Sequence, residues 1–389
     1  MHEDSHYLVG GAVRDLLLGD IPKERDYAFP GGADAFMATH EGARRVGRTI
    51  DVWLWRGCEF MPLRGGTITS DLLARDLTVN AMALDDAGKL HCHPLALEDL
   101  AKGCLRPASP TAMADEPARV FRLARFAARW PDWEVHEDAI RQLRRMSRED
   151  VAALPAERVC RELRKALECP RPGRFFEVLA AGDMLRPWFE ELADAAAVPA
   201  GPKPYHDESL LEHTCQVMDA VAGDPMAAWM ALCHDLGKGA TDPALWPSHH
   251  GHEAAGVELV ERLCRRLSMP TLHCKAGTLA AEAHMRGGRY LWCRAGTRRD
   301  LVWRMHRLGL SEPFWRMVDA DAGAQVGIHA MRDLAVLQSV RLPEEWWDRG
   351  DASGERLRIL QCQALAHHGT KRAGSADSQC VSLAIETRD

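Results

Sequence analysis

The sequence predicts an α+β protein in which a small mixed-sheet region is followed by a longer helical region. Residues 1–105 contain three short strand-like runs, separated by helical segments and by Gly/Pro turns. These runs are His6 to Val9, Asp26 to Phe29 and Asp51 to Trp55. From Asp115 onward, apolar residues recur every three or four positions, which is typical of amphipathic helices. The change of period indicates a sheet-containing head and a helical body.

The helical pattern is clearest in three stretches after the head: RVFRLARFAARW, DAIRQLRRM and ERVCRELRKAL. The Pro/Gly-rich stretch 198–206 is the best linker candidate. Helix-period segments resume near Ser209 and continue to about residue 366. The last twenty residues are polar and contain Gly and Ser, so we expect a frayed tail.

Length and composition exclude several classes of protein. A chain of 389 residues is long enough for two or more domains. Its net charge of −7 provides no global basic field, so contact with nucleic acid requires a local basic surface. The twelve cysteines form no CxxC pair, which argues against a zinc ribbon. The sequence carries neither a signal-peptide pattern nor an apolar run of membrane-spanning length, and we therefore expect a cytoplasmic protein without a membrane partner.

The most informative stretch is LVGGAVRDLLLGDIPKERD, which begins at residue 8. Its glycine pair, Gly10 and Gly11, allows backbone amides to approach a phosphate closely, and Arg14 is suited to bind a triphosphate. Glu24 and Asp26 stand two positions apart, so on a strand their carboxylates would point to the same face. Such a pair is suited to hold a divalent metal beside a nucleotide.

Further motifs follow in a fixed order over about 130 residues. They are Glu59 in RGCEFMPLR, then RDLTVNAMA (75–83), HPLALEDLAKGCLR (93–106) and DEPARVFRLARFAAR (115–129). This ordered set closely resembles the bacterial class II tRNA nucleotidyltransferases, the CCA-adding enzymes. The resemblance implies a polymerase-β-like head, an all-α neck, CTP and ATP as substrates, and the tRNA 3′ end as acceptor.

The resemblance also assigns roles to individual residues of the head and neck. Glu24 and Asp26 would hold Mg²⁺, and Glu59 would complete the metal site or accept a proton. Glu116 and Arg119, three apart on one helix, would bind the Watson–Crick edge of the incoming base. The remaining nucleotide-binding residues implied are Gly11, Arg14, Arg75, Arg122 and Arg125.

A second set of motifs concentrates histidines between residues 205 and 260. LEHTCQV contains His213, ALCHDLGKG contains His234 and Asp235, and VDADAG supplies Asp321. Imidazole and carboxylate ligands from facing helices suit a divalent transition metal, such as Ni²⁺ or Mn²⁺, with an open water position. Such a centre activates water for attack on a phosphoester. Lys238 is placed to neutralise the phosphate.

This region resembles the HD domain fused to some bacterial CCA-adding enzymes. The resemblance implies 2′,3′-cyclic phosphodiesterase, 2′-nucleotidase and phosphatase activities, with His213, His234, Asp235 and Asp321 as metal ligands. His250, His252 and His284 are candidates for a second metal or for phosphate binding.

Four divisions of the chain follow from these motifs: a nucleotidyltransferase head (1–110), a helical neck (111–200), an HD domain (205–330) and a helical C-terminal region with the frayed tail (331–389). The main interpretation is a CCA-adding enzyme with a fused phosphohydrolase. The family usually has Asp where Glu24 stands, and Glu–Asp where this chain has Asp115–Glu116. These differences keep open an alternative, an HD phosphohydrolase with a degenerate head. A third interpretation is a protein that binds tRNA ends without catalysis.

Overall fold

The computed structural model describes residues 6–46, 52–203 and 207–372. The chain divides into two compact units, Met1–Ala193 and Asp194–Asp389. The first unit combines a sheet with helices, whereas the described residues of the second unit form helices and connecting turns. The predicted α+β class, with a mixed-sheet head and a helical body, is therefore confirmed.

The described residues of the first unit form nine short strands. In chain order they are β1 (Tyr7–Val9), β2 (Asp26–Phe29), β3 (Arg44–Arg45), β4 (Trp53–Trp55), β5 (Cys58–Pro62), β6 (Met82–Leu84), β7 (Leu90–Cys92), β8 (Cys104–Leu105) and β9 (Glu134–Val135). The first seven form one sheet in the order β3-β4-β5-β2-β1-β6-β7. β2 and β5 run parallel, and the other neighbouring strands of this sheet are antiparallel. β8 pairs with β9 separately.

Successive side chains of β2 point to opposite faces of the sheet, as strand geometry requires. Ala28 joins a buried cluster with Val9, whereas Phe29 joins another cluster with Trp53 and Phe60. Both faces of the sheet are therefore covered by apolar side chains. The predicted runs at His6, Asp26 and Asp51 coincide with β1, β2 and β4, although Asp51 itself lies outside the described residues.

Ten α-helices complete the described part of the first unit. They are α1 (Gly11–Leu17), α2 (Ala33–Thr39), α3 (Ile68–Leu73), α4 (Ala96–Lys102), α5 (Ala112–Asp115), α6 (Arg119–Arg129), α7 (Glu137–Arg144), α8 (Arg148–Ala152), α9 (Ala156–Leu167) and α10 (Gly173–Ala181). The three sequence stretches with the clearest helical pattern form α6, α7 and α9. α6 packs against α9 and α10, where Phe121 and Phe175 are fully buried and their rings stack at 6.4 Å.

The second unit contains eight described helices. They are α11 (Leu210–Ala220), α12 (Pro225–Cys233), α13 (His252–Arg266), α14 (Thr271–Gly288), α15 (Ala295–Leu308), α16 (Ser311–Ala322), α17 (Gly327–Ser339) and α18 (Asp351–Arg372). α12 is the central helix, since it packs against α11, α14 and α16 and its last seven residues are buried. None of the described helices has the length and apolar character needed to cross a membrane.

Two of the predicted segments reach beyond the described residues. The linker prediction, 198–206, includes residues 204–206, which lie outside them. Within its described part, Pro199 forms a β-bridge with Ser209. Most of the predicted frayed tail, residues 373–389, also lies outside the described residues.

Candidate active sites

The three predicted carboxylates of the head lie around the start of β2. Asp26 is the first residue of that strand and stands opposite Glu59 of β5. Glu24 lies in an exposed bend two residues before the strand, so the prediction that both carboxylates lie on one strand is wrong. Burial raises the pKa of Asp26, and the nearby charges of Glu59 and Glu24 raise it further. The three carboxylates do not form a cluster as tight as those in the second unit. Their mutual repulsion nevertheless creates a place where a cation is electrostatically favoured.

The glycine pair gives this carboxylate group an arginine neighbour. Gly10 has a φ of 72°, and a Cβ added there would lie 2.6 Å from Nη1 of Arg75. Only glycine allows both the left-handed backbone and this close approach. Arg75 also pairs with Asp71 at 2.8 Å, and its charge opposes part of the rise in the pKa of Asp26. The structure therefore brings Arg75 near the carboxylates, and its contact with a nucleotide stays a prediction.

Arg14, by contrast, is only 3% exposed. Its Nε donates to Asp15 at 2.9 Å, a second bond joins it to Asn80, and its guanidinium lies 4.6 Å from the centre of the Trp130 ring. Burial lowers the pKa of Arg14, and the charge of Asp15 opposes this effect. These contacts tie α1 to the end of α6. The phosphate contact expected of Arg14 stays a prediction, as does the nucleotide contact expected of Gly11, the first residue of α1.

The other arginines implied in nucleotide binding are held by protein partners. Arg122 is paired with Asp76, and Arg125 donates to Glu162 at 2.6 Å. Arg119 is buried and donates to the backbone oxygens of Ala74, Arg75 and Ala112, at 2.6, 3.2 and 2.8 Å. In the described conformation, these guanidinium groups are therefore fixed in position by the fold.

Glu116 stands beside Arg119, but the prediction that both lie on one helix is wrong. Glu116 follows α5 in an extended conformation, and α6 begins at Arg119. Glu116 accepts a hydrogen bond from Arg119 at 3.3 Å and another from Arg158. Burial would raise the pKa of Glu116, but Arg158 and Arg119 bring it below its usual value. Glu116 is therefore held as a carboxylate. Arg158 lies on α9, outside the motifs that predicted the nucleotide site. In the sequence it is one of several basic residues between the apolar positions of that helix, and nothing else marks it.

Asp76 is a functional-site residue that the sequence interpretation did not single out, although it stands inside the RDLT motif. It is 6% exposed and accepts hydrogen bonds from Arg122 at 2.7 Å and from Asn80 at 3.0 Å. Burial would raise the pKa of Asp76, but Arg122 and Asn80 bring it well below the ordinary range. Asp76 therefore holds the guanidinium of Arg122 in position. Its place in the RDLT motif was the available sequence signal.

We expect Asp76→Asn to lower the free energy of unfolding of the first unit by about 2–4 kcal/mol, because it leaves Arg122 without its counter-charge. The folded-state pKa lies below the ordinary 3.8. The stabilising contribution is therefore present above that value and is lost as pH falls through the folded pKa. Urea unfolding at pH 7 measures the effect. Exposed Asp132→Asn is the matched control, and equal stability of the two variants would contradict the assignment.

The second unit brings four predicted ligands together. His213 from α11, His234 and Asp235 at the end of α12, and Asp321 from α16 form a group whose ligand atoms all lie within 4.8 Å of one another. The Nε2 atom of His234 lies 3.1 Å from Asp235 and 3.4 Å from Asp321. Burial would lower the pKa of His234, but these two carboxylates raise it to about 10. The site therefore strongly favours positive charge.

A second group adjoins the first and shares Asp235 with it. Its other members are His252 from α13 and His284 from α14, whose Nε2 atoms lie 3.2 Å apart. Asp235 turns Oδ2 toward His234 and Oδ1 toward His284, at 3.1 and 3.2 Å. One carboxylate therefore faces both groups, one oxygen to each.

The hydrogen bonds of the imidazoles are those expected of metal ligands. Nδ1 of His234 lies 2.7 Å from the Ala231 carbonyl, and Nδ1 of His252 lies 2.9 Å from the His249 carbonyl. A proton on each Nδ1 satisfies these carbonyls and leaves the Nε2 lone pair of each ring facing Asp235, at 3.1 Å from His234 and 3.5 Å from His252. Asp235 is buried, and Lys238 supplies one positive charge beside it. The imidazole nitrogens and carboxylate oxygens that converge on Asp235 are the donors that a divalent transition metal prefers, so the residues fit such a metal.

A cavity of about 540 Å³ opens over this centre and supplies room for a substrate. Asp235, Asp321, His252 and His284 line it. Lys238 lines it as well, with Nζ 2.6 Å from Asp235 and donating to the Ala200 carbonyl at 2.7 Å.

The adjacent histidines His249 and His250 occupy different places. His249 is buried, lines the cavity and contacts the Pro199 carbonyl through Nε2 at 2.7 Å. His250, which the sequence interpretation named instead, is exposed and does not line the cavity. The sequence alone gave no means of deciding between these neighbours.

Local sequence explains how the centre is held in place. Asp224 caps α12 by accepting from the amides of Met226 and Ala227, and the apolar run that follows buries the helix up to His234. After the HD pair, a Cβ at Gly237 would lie 1.9 Å from the His252 carbonyl oxygen. Gly237 therefore lets the turn that carries Asp235 pack directly on the start of α13, which places the two metal groups side by side.

Relatives similar in sequence match most of the chain. A protein of Janthinobacterium sp. (strain Marseille) named "Multifunctional CCA protein" is 36% identical over 81% of both chains. A protein of the same name from Thioalkalivibrio sulfidiphilus (strain HL-EbGR7) is 36% identical over 92% of this chain and 97% of its own. This chain belongs to the multifunctional CCA protein family.

Family models and solved structures agree with this membership. Residues 133–196 match the "Probable RNA and SrmB- binding site of polymerase A", and residues 201–304 match the HD domain. The Thermotoga maritima CCA-adding enzyme complexed with tRNA has a TM-score of 0.62 at 19% identity, covering 92% of this chain and 87% of its own. A tRNA-processing enzyme in an apo form has a TM-score of 0.60 at 18% identity, covering 92% of both chains. As a member of this family with an HD domain, the protein depends on divalent metal.

Proposed function

We propose that the protein adds CMP and AMP, from CTP and ATP, to the 3′ end of tRNA and that its HD domain hydrolyses phosphoesters. The observation that carries the proposal is the 36% identity, over 92% of this chain, to a protein named "Multifunctional CCA protein". The Asp26–Glu59 pairing beside Arg75 supports nucleotidyl transfer, and the two ligand groups around Asp235 support hydrolysis. The relatives and the HD family model favour this interpretation over the alternatives of an inactive head and of a non-catalytic RNA-binding protein.

In the head, Glu24 and Asp26 would hold Mg²⁺, with Glu59 as the third carboxylate. When bound, the ion supplies Lewis acidity at the α-phosphate and at the attacking 3′-hydroxyl. Arg75 lies beside these carboxylates and would bind phosphate. Arg122, fixed by Asp76, would present its remaining donors to the nucleotide.

Other residues of the first unit would select the base and complete the phosphate contacts. Glu116 and Arg119 would bind the base edge, since Glu116 is kept ionised and accepts a hydrogen bond from Arg119, the first residue of α6. Gly11, Arg14 and Arg125 would complete the nucleotide site, Arg14 and Arg125 by positioning α1 and α6. We place the nucleotidyltransferase head at 1–110 and the RNA-binding neck at 111–200, which the family model over 133–196 supports.

In the HD domain, placed at 205–330, the ligands of one metal would be His213, His234, Asp235 and Asp321. A transition metal such as Ni²⁺ or Mn²⁺ suits this mixture of imidazole and carboxylate and supplies an activated water when bound. Lys238 would neutralise the phosphate that enters the cavity. Phosphoesters with 2′,3′-cyclic or 2′-phosphate groups are the proposed substrates, and the cytoplasm the proposed compartment.

Labelled CTP and ATP test the transfer reaction. Purified protein is incubated with Mg²⁺ and a tRNA that ends at the discriminator base, and label in the RNA is counted. We expect incorporation of both nucleotides. If the RNA stays unlabelled while the same preparation hydrolyses a 2′,3′-cyclic nucleotide, the head is inactive and the alternative function is correct.

The ligand pairing around Asp235 predicts a second bound ion in the HD domain, held by His252, His284 and the other oxygen of Asp235. With excess Mg²⁺ present to occupy the head, we expect two equivalents of Mn²⁺ or Ni²⁺ per chain after dialysis, measured by mass spectrometry. His284→Ala is expected to retain one equivalent. The exposed His367→Ala serves as the control and is expected to retain both. One equivalent in the unsubstituted protein would assign His252 and His284 to phosphate binding instead.

A further inference from the structure

A second cavity of about 490 Å³ lies in the second unit and shares no lining residue with the HD centre. It is formed by α14 and α15, and its volume falls in the range of small-ligand sites. Its polar and aromatic lining is mostly basic, and consists of Lys275, Thr278, Arg299, Asp300, Trp303, Arg304 and Arg307. On a chain with a net charge of −7, this is a local concentration of positive charge.

Ion pairs within the protein neutralise part of this charge but not all of it. Asp300, the acid in the lining, is paired with Arg358 at 2.6 Å and with Arg299 at 3.1 Å. Arg304 is paired with Glu282 at 2.7 Å.

Lys275 and Arg307 are exposed, and no carboxylate among residues 6–46, 52–203 and 207–372 pairs with either side chain. Both line the cavity. Two cations are therefore available for an anionic ligand, and the lining offers no free acid to repel it.

Trp303 adds an aromatic surface to the same cavity. It is half-buried, and the Arg299 guanidinium lies 5.5 Å from its ring centre. A half-buried tryptophan keeps part of its ring area available to a flat ligand, and the neighbouring arginine makes that area suitable for stacking. Cations that hold phosphates beside an aromatic ring that stacks a base are the recurrent means of binding single-stranded nucleic acid.

We propose that this cavity, the α14–α15 cavity, binds one nucleotide unit of a single-stranded RNA. Lys275 and Arg307 contact the phosphodiester, and Trp303 stacks on the base. The site is separate from both catalytic centres, and the inference does not rest on either activity. The cavity would bind an RNA strand to the second unit independently of nucleotide addition by the head and of hydrolysis by the HD centre.

The test uses the full chain and an octaribonucleotide that carries 4-thiouridine and a fluorophore. Anisotropy gives the dissociation constant at several salt concentrations, and ultraviolet cross-linking followed by peptide mass spectrometry locates the strand. The variants are Lys275→Gln/Arg307→Gln, Trp303→Leu and Trp303→Phe. Arg262→Gln/Arg332→Gln changes charge equally on exposed helix faces outside the cavity and is the control.

We expect cross-links within residues 271–308 in the unsubstituted protein. The Lys275/Arg307 double variant is expected to weaken binding at least about tenfold and to reduce the slope of log K against log salt by about 1.4, because two phosphate contacts are lost. Trp303→Leu is expected to lower the yield of these cross-links at least about fivefold, and Trp303→Phe to retain most of it, because only the second keeps a stacking surface.

Three outcomes would overturn the proposal. The first is cross-linking only outside residues 271–308. The second is equal binding by the double variant and its control. The third is competition by AMP or by an octaglutamate peptide as effective as that by unlabelled RNA, because the site would then take free nucleotides or any polyanion. Hydrolysis of a 2′,3′-cyclic nucleotide is expected to stay unchanged in all these variants, which separates this test from that of the proposed function.

Discussion

Asp26→Asn is expected to lower the rate of CMP and AMP transfer to tRNA at least about a thousandfold. The amide keeps the size of the side chain but removes one of the charges that would hold Mg²⁺ at the start of β2. A loss of about 4 kcal/mol of metal-dependent transition-state stabilisation corresponds to this factor. Because burial and the charges of Glu59 and Glu24 already raise the pKa of Asp26, the substitution also relieves repulsion. The variant should therefore be at least as stable as the unsubstituted protein.

Transfer of label from CTP to tRNA, under single-turnover conditions, measures this effect. Asp34→Asn, at an exposed position on α2, removes the same charge from the same unit and should leave the rate within about twofold. Hydrolysis by the HD domain should be unchanged in both variants, since the two centres lie in different compact units. A rate for Asp26→Asn close to that of Asp34→Asn would remove Asp26 from the proposed catalytic group.

His234→Ala is expected to abolish both metal retention and phosphoester hydrolysis in the HD domain, with a fall in rate of at least about a thousandfold. His234 is fully buried and close to both Asp235 and Asp321. Its removal takes one ligand from the first group and leaves two carboxylates facing each other without the imidazole. Nucleotide transfer by the head should persist.

Removal of the buried His234 side chain can also destabilise the fold. Asp321→Asn is therefore a second variant with a smaller structural change. Asp321 is partly exposed and the amide keeps its shape, so the fold should be retained while metal affinity falls. His367→Ala is the control for the loss of a histidine. Metal content by mass spectrometry and hydrolysis of 2′,3′-cyclic CMP are measured on each protein. Full metal content with full activity in both His234→Ala and Asp321→Asn would contradict the proposed ligand set.

The fold class followed from the sequence because local periodicity controls it. Short strand-like runs between Gly/Pro turns predicted the sheet of the head, and the apolar spacing of three to four residues after Asp115 predicted the helices that follow. The ligands His213, His234, Asp235 and Asp321 were also predictable as a group, since their order along the chain resembles that of a known domain. The distances between these ligands were not predictable, because the packing of α11, α12 and α16 determines them.

Other features depended on contacts that no local pattern reveals. The sequence could not show that Arg14 turns inward onto Trp130, because the partner is more than a hundred residues away. Nor could it show that Asp76 fixes Arg122, or that His249 rather than His250 lines the HD cavity. The basic α14–α15 cavity combines residues spread over two helices whose sequences resemble ordinary amphipathic helices.

Sequencing of tRNA 3′ ends tests the central claim most directly. A tRNA that ends at the discriminator base is incubated with the protein, Mg²⁺, CTP and ATP, and the products are sequenced. We expect the unsubstituted protein to produce ends that read CCA, with CTP alone giving ends that stop after the cytidines. Products that still end at the discriminator base, from a preparation whose HD domain is active, would contradict the account.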